Sequence, residues 1–212
     1  MRALRLALVL LALLSDAQLV RADALHDLML AAALDNGQGI RQLLSAGVDP
    51  NLRASNGDSA LHVAAREESA AALAQLLKHP DLQVDASNQA GETPLMLAAL
   101  RGRLDLVKAL VARGAAINRV GWSPLHYACT GPGGGVVSWL LLQGAEMNAK
   151  APNGTTALMM AAGYGGPSAA ETLLDVGADP KLRNDLGLSA ADFARRAGNE
   201  RLEQRLRQAA ER

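Results

Sequence analysis

The sequence predicts an all-α fold: a solenoid of about six stacked helix-turn-helix units, each with a short projecting turn or hairpin. Three observations carry that prediction. A glycine-led block recurs as "GDSALHVAA" from Gly57, "GETPLMLAA" from Gly91, "GWSPLHYAC" from Gly121, "GTTALMMAA" from Gly154 and a weaker "GLSAADFAR" from Gly187, at spacings of 34, 30, 33 and 33 residues. A leucine-rich segment follows each of the first four: "LAQLLKHPDLQVD", "LVKALVARGAAIN", "VSWLLLQGAEMN" and "AETLLDVGADP". The 212-residue chain is 50% hydrophobic but only 2% aromatic, so its core must be built from Ala, Leu and Val, which suits closely packed helices.

These blocks closely resemble the ankyrin repeat, whose pattern is G-x-T-P-L-H-x-A-A, then about fourteen residues, then L-L-x-x-G-A-x-x-N. The resemblance covers roughly residues 25–212 and divides them into units 25–56, 57–90, 91–120, 121–153, 154–186 and 187–212. The first unit lacks the leading glycine and is read from "LMLAA" (28–32) and "IRQLLSAGVDPN" (40–51). One such unit cannot bury its apolar face alone, whereas a stack can.

Taken in order, the chain begins with a predicted export signal over residues 1–22. "MRALR" is a short basic start, and Leu6 to Leu14 is an apolar run of nine, too short to span a bilayer. Small residues allow cleavage after Ala22 or after Ala17; Ala22 is preferred because Asp23 onward reads as folded protein. The domain is then 23–212, with 18 basic and 20 acidic residues, and no stable membrane insertion is expected after cleavage. The compartment expected is a bacterial periplasm, with secretion as the alternative. Cys129 is the only cysteine, so no internal disulfide can form and stability must come from packing.

Within each repeat, the Ser or Thr before "PL" or "AL" can cap a helix through its hydroxyl. Pro94 and Pro124 fall where a first helical turn needs no N–H donor. The paired alanines let helices approach. The leucine pairs Leu43/Leu44, Leu76/Leu77, Leu140/Leu141 and Leu173/Leu174 are expected to fill the space between repeats, and Gly47, Gly114, Gly144 and Gly177 to end the second helices in a left-handed turn. The last unit closes with "NERLEQRLRQAAER", a charged helix fit for a terminal cap. The first unit, with "ALHDLMLAAAL", is more apolar, and its outer side is where the mature N-terminus or a partner is expected.

Catalytic chemistry finds no support. His62 and His126 occupy a repeat slot that elsewhere holds Met96, Met159 and Asp192, and the resemblance implies a structural role there, bonding between neighbouring turns. His26 and His79 have no ligand-like company, and nothing has a zinc spacing. Cys129 replaces the second alanine of an "AA" pair and reads as a small buried hydrophobe. "GPGGG" (131–135) lacks the Lys and hydroxyl of a phosphate loop, having Val136 and Val137 there, and it follows a helix rather than a strand. No cofactor, metal or nucleic acid is expected; the formal net charge is zero.

The resemblance implies instead a non-catalytic module that binds another protein on a concave surface of finger tips and first helices, with the chain acting as a monomer. The positions left free by the repeat pattern are Asn56, Asp58, Arg66, Glu67, Gln89, Glu92, Arg101, Arg119, Trp122, Thr130, Thr155 and Tyr164. Two irregularities stand out. The connection from Gly114 to Gly121 takes seven residues where its neighbours take ten or eleven, leaving one finger short with Trp122 beside it. That Trp is either a binding hot spot or a cover for the short turn. "GPGGG" and "GYGGPS" (163–168) fall in the inter-helix turns of adjacent repeats, and offer a small-molecule or anion site as the alternative function.

Overall fold

The computed structural model describes residues 22–132 and 134–212; the export-signal reading of residues 1–21 lies outside them, as does Gly133. Among the described residues, twelve helices pair within repeats: α1 (22–33), α2 (Gly37–Ser45), α3 (Ala60–Arg66), α4 (Ala70–Leu76), α5 (Pro94–Leu100), α6 (Leu104–Ala112), α7 (Pro124–Ala128), α8 (Gly134–Leu142), α9 (Ala157–Tyr164), α10 (Pro167–Asp175), α11 (Ala190–Arg196) and α12 (Glu200–Ala210). No strand forms among these residues; two isolated antiparallel bridges, Arg53 with Ser59 and Lys150 with Thr156, close hairpin fingers.

The helices belong to two compact units. One holds α1 to α4, with Asn88–Ala90; the other holds α5 to α12, with Val84–Ser87. In the first, α4 packs on α2 and α3, burying Ile40, Leu61, Ala64, Ala65, Leu73 and Leu76. In the second, the first helices α5, α7, α9 and α11 contact one another in sequence, as do α6, α8 and α10, and α12 packs on α11. The leucine pairs divide their work. Leu76, Leu140 and Leu173 are fully buried, while Leu77, Leu141 and Leu174 are half-buried.

The repeat sequence explains the helix starts. Ser59, Thr93, Ser123, Thr156 and Ser189 are N-caps in extended conformation. In four of them the residue three positions on bonds back to the cap's own N–H: Nδ1 of His62 (3.2 Å), Sδ of Met96 (3.4 Å), Nδ1 of His126 (3.3 Å) and Oδ2 of Asp192 (2.9 Å). The repeat slot thus needs an acceptor, which imidazole, thioether and carboxylate all supply in a reciprocal cap. Gly47, Gly114, Gly144 and Gly177 all take the left-handed conformation expected of them.

Within each unit, one side chain per repeat stitches the next. Asn51 accepts from the Gln83 N–H and Asn118 from Glu146, and Asn148 accepts from Asp179. Asp85 takes the same role with Ala116, at 2.9 Å. These bonds lie at exposed positions, so each adds only about 0.5–1.5 kcal/mol, and their recurrence from repeat to repeat ties each finger to the next.

Candidate protein-binding groove

In the unit of α5 to α12, a groove of about 430 Å³, open on one side, runs across the fingers and first helices. Trp122 enters it from the end of the short finger. The next finger supplies Asn153 and Thr155, and α9 supplies Met160, Gly163 and Tyr164. The following finger adds Asn184, Leu186 and Leu188, α11 adds Phe193 and Arg196, and its C-cap adds Ala197. Three of the chain's five aromatic residues therefore meet here.

Their packing is specific. The Tyr164 and Phe193 rings lie edge to face at 6.3 Å, and Trp122 stands edge-on to His126 at 5.4 Å. Gly163 makes room for Phe193, since a Cβ there would lie 2.8 Å from its Cδ1. Tyr164 remains 67% exposed and Leu186 79% exposed, so the groove presents apolar surface to solvent. Beneath it, His126 Nδ1 accepts from the Ser123 N–H, so Nε2 carries the proton and donates to the Thr155 carbonyl at 3.1 Å. Burial pushes the His126 pKa down, which keeps this arrangement neutral.

The structure brings three of the sequence-derived positions, Trp122, Thr155 and Tyr164, to the groove. Trp122 lines it and packs edge-on against His126. Thr155 is buried, so it forms the floor and does not present itself at the surface. Elsewhere in the same unit Arg101 is exposed, while Glu92 accepts from Tyr127 Oη at 3.3 Å and Thr130 donates to the Tyr127 carbonyl. Burial and the Glu92 charge together push Tyr127 up to about 12. Arg119 turns inward and donates to the Gly91 carbonyl (3.0 Å) and Ser87 Oγ (3.3 Å).

In the unit of α1 to α4, Asn56, Glu67 and Gln89 are exposed, but Asp58 is buried, which corrects its reading as a free surface position. Its carboxylate accepts from Arg66 Nη1 at 2.7 Å and from Asn56 and Asn88 at 2.9 Å each. Burial raises its pKa, and the bonds from Arg66, Asn88 and Asn56 outweigh that, leaving it at about 2. Asp58 and Arg66 hold the finger of their own repeat together. Leu30 of α1 and Leu34, in the turn after it, are exposed.

Sequence reasoning missed Met160, Leu186, Leu188, Phe193 and Arg196. The pattern could have flagged Phe193, the sole Phe, at a repeat position three residues before Arg196 on the same helix face. Nothing in the pattern marks Leu186, which precedes a repeat-leading glycine.

The glycine turns have a packing role. Two residues past α1, α3, α5 and α11 the chain turns through left-handed Asp35, Glu68, Gly102 and Gly198; among the described residues none does so after α7 or α9. There the turn lies directly on the preceding repeat: a Cβ on Gly131 would collide with the Leu100 carbonyl, and one on Gly165 with the Cys129 carbonyl. Both glycines allow this close backbone approach, and they need no bound anion to account for them. Cys129 itself is fully buried, and burial pushes its thiol up to about 12, so it packs as a small hydrophobe. Among the described residues no three His, Cys, Asp or Glu side chains form a metal-holding group, and no helix is long and apolar enough to cross a membrane.

Comparison with known proteins places this geometry. The chain is 34% identical over 164 residues to the nuclear factor NF-kappa-B p105 subunit of Gallus gallus, covering 74% of this chain and 17% of that protein. It is 34% identical over 152 residues to the B-cell lymphoma 3 protein homolog of Mus musculus, covering 68% of this chain and 34% of that protein. It thus spans at most about a third of these relatives. Among solved structures, it matches a chain in the complex of a predatory endopeptidase from Bdellovibrio bacteriovorus with an immunity protein. The TM-score is 0.74 and the identity 25%, over 86% of this chain and 97% of that one. The family model described as "Ankyrin repeats (3 copies)" matches residues 28–120, 72–151 and 125–203, and with the stacked, capped helix pairs above, the chain belongs to the ankyrin-repeat family.

Proposed function

We propose that this chain is a non-catalytic module that binds, holds or regulates a partner protein through the face bearing its fingers and first helices, which the family resemblance implies is concave. Ankyrin repeats are generally protein–protein interaction modules. The observation that carries the reading to this chain is the groove, where Trp122, Tyr164 and Phe193 converge in a protein with only five aromatic residues. Exposed aromatic side chains in a cleft are the usual seats of binding energy between proteins.

In this reading residues 1–22 direct export to a periplasm and the domain acts there as a monomer, holding, inhibiting or protecting an enzyme or toxin. The similar solved structure, a complex of an endopeptidase with an immunity protein, supports a role of that kind. Capture from periplasmic extract with the full chain tests the reading. A partner retained undiminished by the combined Trp122→Ala and Tyr164→Ala variant would sink the proposed face. N-terminal sequencing of the exported protein tests the leader, with Asp23 expected as the first residue.

A further inference from the structure

The groove has a polarity as well as apolar walls. Its lining contains one charged residue, Arg196, and no acid. Arg196 is exposed at the end of α11 and makes no ion pair or hydrogen bond with any described residue, whereas its neighbour Arg195 is paired with Asp192 at 3.0 Å. Asn153 and Asn184 also line the groove. The Oδ1 of Asn153 accepts from the Thr155 N–H, and that of Asn184 from the Leu186 and Leu188 N–H groups. Their Nδ2 groups donate to no described residue. Asn184 is only 8% exposed, so a nearly buried amide offers an unused donor to the groove. Free polar groups here are therefore chiefly donors, set beside Tyr164, Leu186 and Phe193.

Resting on the protein-binding reading above, we propose that the groove takes an extended peptide segment of the partner that carries a large apolar side chain and, within a few residues, a carboxylate. The apolar side chain seats against Phe193, Tyr164 and Leu186; the Asn153 and Asn184 amides donate to the segment's carbonyls; and Arg196 pairs with the carboxylate. A planar guanidinium binds carboxylate through two parallel bonds, which makes the acid preferred over its amide. The lack of any acid in the lining means that nothing inside the groove competes for Arg196.

Isothermal titration of the full chain with capped hexapeptides tests this. Each peptide carries one Leu or Phe, followed one, two or three residues later by Asp, Asn or Lys. The best Asp peptide is expected to bind about tenfold more tightly than its Asn counterpart, the ordinary advantage of a charge-assisted bond. Arg196→Gln, at an exposed position, is expected to keep the melting temperature and erase that tenfold while Leu186→Ala weakens all peptides alike. Equal affinity for Asp, Asn and Lys peptides, a preference that survives in Arg196→Gln, or no binding by any peptide overturns the proposal. So does phenylacetate that competes as strongly as the best peptide, which would make the groove a small-molecule site. Partner capture that persists in Arg196→Glu combined with Tyr164→Ala removes the groove but keeps the protein-binding role; failure of the unaltered chain to capture any partner removes that role itself.

Discussion

The finger at residues 149–156 and the shorter one at 114–121 stand in adjacent repeats and are held by different means. The long finger closes on its own backbone. Lys150 and Thr156 form a bridge, Ala151 N–H donates to the Thr155 carbonyl and Gly154 N–H to the Ala151 carbonyl, both at 2.8 Å, and the Asn153 carbonyl accepts from Asp185. The short finger has no such hairpin. Side chains fasten it instead: Arg119 reaches to Gly91 and Ser87, Asn118 to Gly144 and Glu146, and Trp122 leans on His126. Its Val120 is wholly exposed. A backbone-closed finger tolerates changes of side chain; a side-chain-fastened one leaves its backbone free and depends on a few named residues.

The same substitution at the two repeat-leading glycines sharpens that contrast. Gly154→Ala forces a side chain into a left-handed position (φ 75°), with its Cβ 2.7 Å from Asp185 Oδ1 and 3.0 Å from Asn184 Cα; a loss of about 3 kcal/mol is expected from strain and overpacking combined. Urea unfolding with an unchanged m-value measures it. His126→Ala removes the bond from α7 to Thr155 in the long finger and orphans the buried Ser123 N–H, while the Thr155 carbonyl keeps its Ala151 donor, for an expected loss of about 2 kcal/mol.

His126 also predicts a pH dependence. Its folded pKa lies below the ordinary 6.5, so the unfolded chain takes up the proton first and stability is lost as pH falls below about 6.5. Melting temperatures across that range should show the slope in the unaltered chain and a shallower one in His126→Gln; equal slopes would remove His126 as the cause. Arg119→Ala should cost about 1 kcal/mol, since its bonds are partly exposed, whereas Lys150→Ala in the long finger should cost almost nothing. The smallest effect of the glycine pair belongs to Gly121→Ala. Its φ of 89° is unfavourable, but the nearest neighbour is Pro152 Cγ at 3.6 Å, so about 1 kcal/mol is expected. Equal losses at Gly121 and Gly154 would show that the two fingers are held alike.

The helix pairs, their caps and their terminal glycines were legible because each depends on residues a few positions apart: a hydroxyl before the helix, an acceptor three residues on, a glycine after it. The site was legible only in part. Trp122 and Tyr164 stand out by rarity, and their convergence with Phe193 could not be read from the repeat pattern. Asp58 and Thr155 occupy positions that the pattern leaves variable, yet both are buried, because neighbouring side chains and turns close over them. The glycine turns misled for the opposite reason. In sequence they look open; in the fold Gly131 and Gly165 are where one repeat presses its backbone onto the last.

By itself, then, the sequence determined the repeat frame, the helix starts and ends, and the shortness of one finger, since these follow from local hydrogen bonding and from counting residues. Tertiary structure alone decided that three aromatic residues, two amides and Arg196, without a partner among the described residues, share one groove. Stacking brings together the same position of successive repeats, and which side chains then face a common space depends on packing across repeats that no single repeat encodes.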